Sequence, residues 1–201
     1  MPKDTFFNLS KEKQKVIFDA CVQEFSKNTF SLASINQIIK TASISRGSFY
    51  QYFNDKEDCY MYVLSEIAQV KLDILKQSVV DSPEQSFFKH IEDMIDQTLL
   101  WVKQEPDYYM IGYWMDYDDS EFIQKLMAYN TQNMEYFKKM IQKDQQDGII
   151  SNNVDVDLLI RMILSINKDI LMEGYRKKEF DLVKKQFMQM MQIIKEGAAH
   201  V

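Results

Sequence analysis

Eight polar side chains between residues 34 and 56 have the types and spacing for polar recognition: Ser34, Ser45, Arg46, Ser48, Tyr50, Gln51, Tyr52 and Lys56. A guanidinium can donate to guanine edges or to phosphate, and a carboxamide can read a base. Tyrosine hydroxyls stand on long rigid arms suited to phosphate. Ser45, Arg46, Gly47 and Ser48 are small or polar and precede Phe49. The leading end of a short helix built from them can approach a surface closely while a ring anchors its rear. Ser45 is the expected N-cap, with free N–H groups just behind it. Hydrolytic or metal chemistry is not indicated. His90 and His200 are too few and too far apart for zinc, and residues 101–137 contain neither His nor Cys. No cofactor is expected, and the chain does not read as an enzyme.

The elements that must position these groups can be read from periodicity. Ile35, Ile38, Ile39 and Ala42 follow a helical pattern that stops at Ser43-Ile44-Ser45, and a second helix spans residues 45–53 with Phe49, Tyr50, Tyr52 and Phe53. Two short helices joined by a tight turn can place the second in the major groove of DNA. An ordinary corner between two helices, with part-buried tyrosines, would give the same pattern. Ahead of it, Ser10 caps a helix bearing Val16, Ile17, Ala20, Cys21 and Phe25. Ser34 with Gln37 fits a capping box, Ser31 being the other candidate start. Asn54 or Asp55 caps the next helix, in whose first turn Lys56 adds a cation. That helix carries Tyr60, Val63, Leu64, Ile67, Ile74 and Leu75 past residue 75 without a linker. Residues 1–9 read as a loose arm.

Phe25, followed by ASINQIIKTASISRGSFYQYFNDKED over residues 33–58, resembles the DNA-binding head of the TetR family of bacterial transcription regulators. The resemblance covers roughly residues 12–62. It implies DNA-contacting roles for the eight polar residues above and packing roles for Ile35, Ile38, Ala42, Ile44, Phe49 and Phe53. Two residues depart from the family pattern. Ser43 stands where the turn usually has Gly, so a left-handed backbone there would cost about 1 kcal/mol. Ala33 stands where a Thr usually caps the helix, leaving Ser34 or Ser31 to compensate. The implied protein is an all-α, ligand-responsive DNA-binding regulator. Residues 1–55 would form a three-helix helix-turn-helix domain and residues 56–201 a larger effector-binding and dimerisation domain, about nine helices in all. Its implied partners are a palindromic double-stranded operator, a bulky apolar or amphipathic effector and a second copy of itself. Release of a repressor is the leading mode; a ligand-dependent activator or a corepressor-dependent repressor is the alternative.

Beyond the head, Ser82-Pro83 opens a helix with Phe87, Ile91, Met94, Ile95, Thr98, Leu99 and Val102, and Glu105-Pro106 ends it. A short helix over residues 107–115 follows, then a long one from Phe122 to near Gly148. Another starts at residues 152–155, and a last one follows Gly174. Residues 101–137 are rich in aromatics. Trp101, Tyr109, Tyr113, Trp114, Phe122, Met134 and Phe137 suit the wall of a ligand pocket, or equally a core of large residues. The acidic turn Asp116, Asp118, Asp119 and Glu121 reads as solvated, with attraction of a cationic ligand as the other possibility. Ile163, Ile170, Phe187 and Met191 are candidates for a dimer seam or for intramolecular core.

Composition agrees. Only five Gly and three Pro in 201 residues favour helices over strands and turns. The net charge of −6 is unevenly spread. Residues 1–60 hold eight Lys/Arg against seven Asp/Glu, and the rest hold sixteen against twenty-three, so the acidic body should repel DNA and anionic membrane. Two cysteines make no disulfide scaffold; Cys21 and Cys59 read as core in a reducing, cytoplasmic setting. No apolar run is long enough to span a bilayer, and residues 1–15 lack a signal-peptide core.

Overall fold

The computed structural model describes residues 1–76, 85–129 and 132–198. The expected helix opening at Ser82-Pro83, the side chains of Ile74 and Leu75, and His200 lie outside the described residues. All eleven elements among the described residues are α-helices. Backbone contacts divide the chain into two compact units, Met1–Gln77 with Gln104–Ala128, and Ser78–Lys103 with Tyr129–Val201. This division by contact differs from the functional boundary expected after residue 55.

The first unit begins with α1 (Asp4–Phe7), then α2 (Lys11–Phe25), α3 (Ile35–Thr41), α4 (Arg46–Tyr52) and α5 (Lys56–Lys76). It is completed by α7 (Pro106–Met115) and α8 (Glu121–Tyr129). Ser10 caps α2 by accepting from the Lys13 amide, and Asp55 caps α5 by accepting from the Asp58 amide at 2.8 Å. Of the apolar stripe expected on α2, Ile17, Ala20, Cys21 and Phe25 turn inward and are buried, while Val16 is 50% exposed. Cys21 Sγ lies 3.1 Å from Cys59 Sγ, and Phe49, Phe53, Cys59, Tyr60 and Val63 are buried as well. Phe25 and Tyr60 pack edge to face with centroids 4.8 Å apart, as ring quadrupoles prefer.

Residues 1–9 are not a loose arm. Phe6 is fully buried, and its ring packs against Tyr52, Phe53 and Tyr62. The Lys3 amide donates to the Tyr52 carbonyl and its ammonium to the Tyr50 carbonyl, both at 2.8 Å, while the Thr5 hydroxyl donates to the Gln51 carbonyl. The last carbonyls of a helix have no partner inside it, and here residues 3–5 supply three. One deeply set ring and these donors fix a segment too short to show a periodic signal.

The second unit contains α6 (Phe87–Gln104), α9 (Gln132–Gln146), α10 (Val156–Lys177) and α11 (Phe180–Ala198). Phe87, Ile91, Ile95, Leu99 and Val102 are buried on one face of α6. The buried Asp144 carboxylate accepts from the Phe87 amide at 2.8 Å, which satisfies a free donor at the start of α6. The single long helix expected between Phe122 and Gly148 is two described helices, α8 and α9, on either side of residues 130 and 131. Gly174 does not end α10, which runs three residues further and closes with Lys178 in the left-handed region at φ 58°. Gly174 instead lets α11 approach closely: a Cβ there would lie 1.9 Å from Val183 Cγ2.

Candidate nucleic-acid interface

The turn between α3 and α4 has the conformation anticipated for its unusual serine. Ser43 takes φ 52°, the left-handed backbone that glycine adopts without steric cost. Ser45 then caps α4, its Oγ accepting from the Ser48 amide at 3.0 Å and lying 2.8 Å from the Ser48 hydroxyl. The rear of α4 is buried through Phe49, and Phe53 beyond its end is buried too. The front leaves Arg46, Gly47, Tyr50 and Gln51 exposed.

Arg46 is already organised. Its Nη1 donates to Asn36 Oδ1 at 2.7 Å, and its guanidinium carbon lies 5.5 Å from the centre of the Tyr50 ring. A planar donor fork held by an amide and a ring loses less freedom when it meets an acceptor. Asn36 was not singled out from the sequence. Like Gln37, Lys40 and Thr41 it is an exposed polar residue of α3, and its pairing with Arg46 of α4 shows only in three dimensions.

The other sequence candidates fare differently. Ser34 is exposed at the start of α3, but its hydroxyl makes no capping bond, so the capping box with Gln37 does not form. Glu24 on α2 takes over: its buried carboxylate accepts from the Ser34 amide at 2.8 Å. That is the compensation for Ala33, rather than Ser31 or Ser34. Tyr52 is buried against Phe6 rather than presented outward. Lys56 also points inward, donating to the carbonyls of Ser31 at 3.2 Å and Ala33 at 3.0 Å, 4.6 Å from the Phe30 ring centre. Burial lowers its pKa, partly opposed by Asp118 and Glu24 nearby.

In the first unit, Tyr113 and Trp114 lie edge to face at 5.3 Å on α7, and Tyr113 stacks near Tyr117 at 4.9 Å. Tyr109 is half-buried, and burial raises the pKa of its hydroxyl, helped by Tyr113 and Asp116. Phe122 packs on Phe30 at 4.6 Å and near Tyr60 at 6.1 Å, among rings of the head. Asp118 is not a solvated member of the acidic turn; it is buried and accepts from the amides of Ser31 and Ser120. In the second unit, Phe137 packs against Phe87 and His90, and Trp101 and Met134 are half-buried.

Of the seam candidates, Ile163, Phe187 and Met191 are buried within their own chain and Ile170 is half-buried. A second copy has nothing left to cover on the first three. Their positions on α10 and α11 face the unit's own core. The large apolar residues exposed on these helices are their neighbours Leu158, Met162, Leu164, Ile166, Leu182, Met188 and Ile193.

Among the described residues no group of three or more His, Cys, Asp or Glu side chains could hold a metal ion, and no helix is long and apolar enough to cross a membrane. Residues 17–63 match the family model described as bacterial regulatory proteins, tetR family. A probable acrEF/envCD operon repressor of Escherichia coli (strain K12) is 20% identical over 171 residues, spanning 81% of this chain and 76% of that protein. The crystal structure of a TetR family transcriptional regulator from Chloroflexus aurantiacus J-10-FL superposes with a TM-score of 0.80 at 26% identity, covering 100% of both chains. The transcriptional regulator FadR of Bacillus subtilis, solved in complex with stearoyl-CoA, shares the fold at a TM-score of 0.65 and 17% identity, over 88% of this chain and 96% of that one. The buried rear and exposed polar front of α4, the turn at Ser43 and these likenesses agree: residues 17–63 form a helix-turn-helix, DNA-binding domain of the TetR family, and the chain as a whole shares the fold of that family's regulators.

Proposed function

We propose that this protein is a homodimeric repressor that reads a palindromic operator and is released from it by a bulky apolar or amphipathic molecule. The observation that carries the reading is the front of α4, where Arg46, Tyr50 and Gln51 are exposed while Phe49 anchors the helix from behind. With Ser34 and Ser48 they form the face offered to the major groove; Arg46 and Gln51 choose bases and Tyr50 engages phosphate. Two such helices must be presented about one helical turn of DNA apart, roughly 34 Å, which calls for a two-fold dimer.

Two features support an effector. The rings of Tyr109, Tyr113 and Trp114 on α7 offer a surface for a flat or apolar group. Separately, in the second unit, Gln97 Oε1 and Asn167 Oδ1 are buried without a hydrogen-bond partner. Buried acceptors are rarely left so, and donors on an amphipathic guest would satisfy them. Release requires the guest to bind the DNA-incompetent arrangement more tightly than the competent one.

The test starts by enriching duplexes from a random library with the full chain, then titrating the enriched duplex with candidate compounds. A palindromic consensus that a compound displaces is the expected result. Compound-dependent gain of binding would make the protein a corepressor-dependent repressor or an activator, and enrichment of no sequence would end the operator reading.

A further inference from the structure

The approach to the helix-turn-helix is a loop, residues 26–34, in the first unit, and four of its backbone groups are held from α7, from the turn between α7 and α8, or from the start of α5. The Trp114 indole N–H donates to the Ser26 carbonyl at 2.8 Å. The Asp118 carboxylate accepts from the Ser31 amide at 2.6 Å through one oxygen and from the Ser120 amide at 2.9 Å through the other. The carbonyl of the same residue, Ser31, accepts from Lys56. Phe30 beside it is buried between Tyr60 and Phe122, a residue of α8. Trp114 and Asp118 are separated from their loop partners by more than eighty residues of chain, so these are tertiary contacts that no local propensity creates.

We infer that Trp114 and Asp118 are positioning residues for DNA reading: together they latch this loop and so set where α3 begins and how α4 is presented. The chemistry supports the assignment. A carboxylate that splits its two oxygens between two amides is a strong, directional tie, because charge-assisted hydrogen bonds are shorter and stronger than neutral ones. Desolvation alone would raise the Asp118 pKa, yet the bonds from Ser120 and Ser31 outweigh it and hold the carboxylate ionised. The indole has one donor, and it is spent on a loop carbonyl rather than on solvent. Neither residue lies on the exposed front of α3 or α4, so neither acts by touching DNA in the manner of Arg46. The inference goes beyond the proposed operator reading, since it concerns how the head is held and not what it releases.

The test uses the full chain with Trp114→Phe, which removes the donor but keeps a ring, and with Asp118→Ala and Asp118→Asn. Three quantities are read: affinity for the duplex enriched by the wild type, affinity for a random duplex at low salt, and amide hydrogen exchange at Ser31, Ser34 and through α3. The inference expects Trp114→Phe and Asp118→Ala each to weaken the enriched duplex by about tenfold. It expects binding to random duplex within a factor of two of wild type, as phosphate contact needs little precision, and faster exchange in the loop and α3. Asp118→Asn, which keeps one acceptor, should fall between. Unchanged affinity and exchange in both single-donor and single-acceptor variants would overturn it. So would an equal loss on both duplexes that tracks a lowered melting temperature, since that is plain destabilisation. Were the wild type to enrich no duplex, the operator reading would fall by itself, and exchange in the loop and α3 would still decide the latch.

Discussion

Arg46 is positioned by residues on both helices of the motif, which gives its substitution a recognisable signature. Arg46→Ala should cost about tenfold or more on the enriched duplex and relax preference at one base step, because a lost base contact is sequence-specific. Asn36→Ala should keep the same preference with a smaller loss, since it frees the guanidinium without removing it. Competition binding against single-base variants of the duplex separates the two. The left-handed Ser43 makes a different prediction. It is exposed, so glycine there removes strain without removing packing. Ser43→Gly should stabilise the protein by a net of up to about 0.5 kcal/mol after glycine's own entropy, read as a higher urea midpoint with an unchanged slope. Asp144 supplies a pH dependence. Burial raises its pKa, only partly offset by the Phe87 amide, so the native state binds its proton more tightly than the unfolded chain does. Its contribution is therefore fully present below the ordinary carboxylate pKa and is lost as pH rises through the raised value. Asp144→Asn keeps an acceptor for Phe87 and removes this loss. Urea unfolding at acid and neutral pH should show the variant gaining on the wild type as pH rises; a gap that stays constant would contradict the assignment.

At the scale of elements, the helix-turn-helix was legible because each of its parts has a local cause. Ser45 caps α4 through its own hydroxyl, the apolar stripes of α2 and α6 repeat with helical period, and Pro106 opens α7 where a missing N–H costs nothing. What escaped sequence reading depends on distant partners. Glu24 caps α3 across a loop, Lys56 turns inward to that loop, and Gly174 serves a close helix approach rather than a break. Residues 1–9 are the sharpest case, since α1 spans only four residues and its stability rests on Phe6. Phe6→Ala should destabilise the protein by about 3–5 kcal/mol, the usual cost of emptying a fully buried phenylalanine site. The same change should weaken the enriched duplex beyond what the melting temperature explains, because the carbonyl end of α4 loses its donors. Phe6→Leu should restore most of both. Chemical denaturation and duplex titration on the two variants check this, and DNA affinity that follows stability alone would leave α1 with no part in presenting α4.

For the whole molecule, reading an operator as proposed requires two copies, and the residues that could join them are those one chain leaves uncovered. Leu158, Met162 and Ile166 are 43%, 44% and 40% exposed on α10, spaced four apart so that they share one helix face. Leu182 and Ile193, 38% and 71% exposed, lie on α11. Single exposed apolar residues are ordinary, but a stripe on the same two helices that build the second unit's core calls for a cover. The interior-facing residues Ile163, Phe187 and Met191 offer the contrast, as changing them should unfold a chain rather than separate two. Replacing Met162 and Ile166 together by Glu places two charges on the stripe while leaving the core intact. The double variant should keep its helical content and melt within a few degrees of wild type, yet sediment as one chain where the wild type sediments as two. It should also lose the advantage of a duplex carrying both half-sites over one carrying a single half-site, because that advantage comes only from linking two heads. A wild type that sediments as one chain at working concentrations, or a double variant that still pairs, would place the dimer seam elsewhere or remove it.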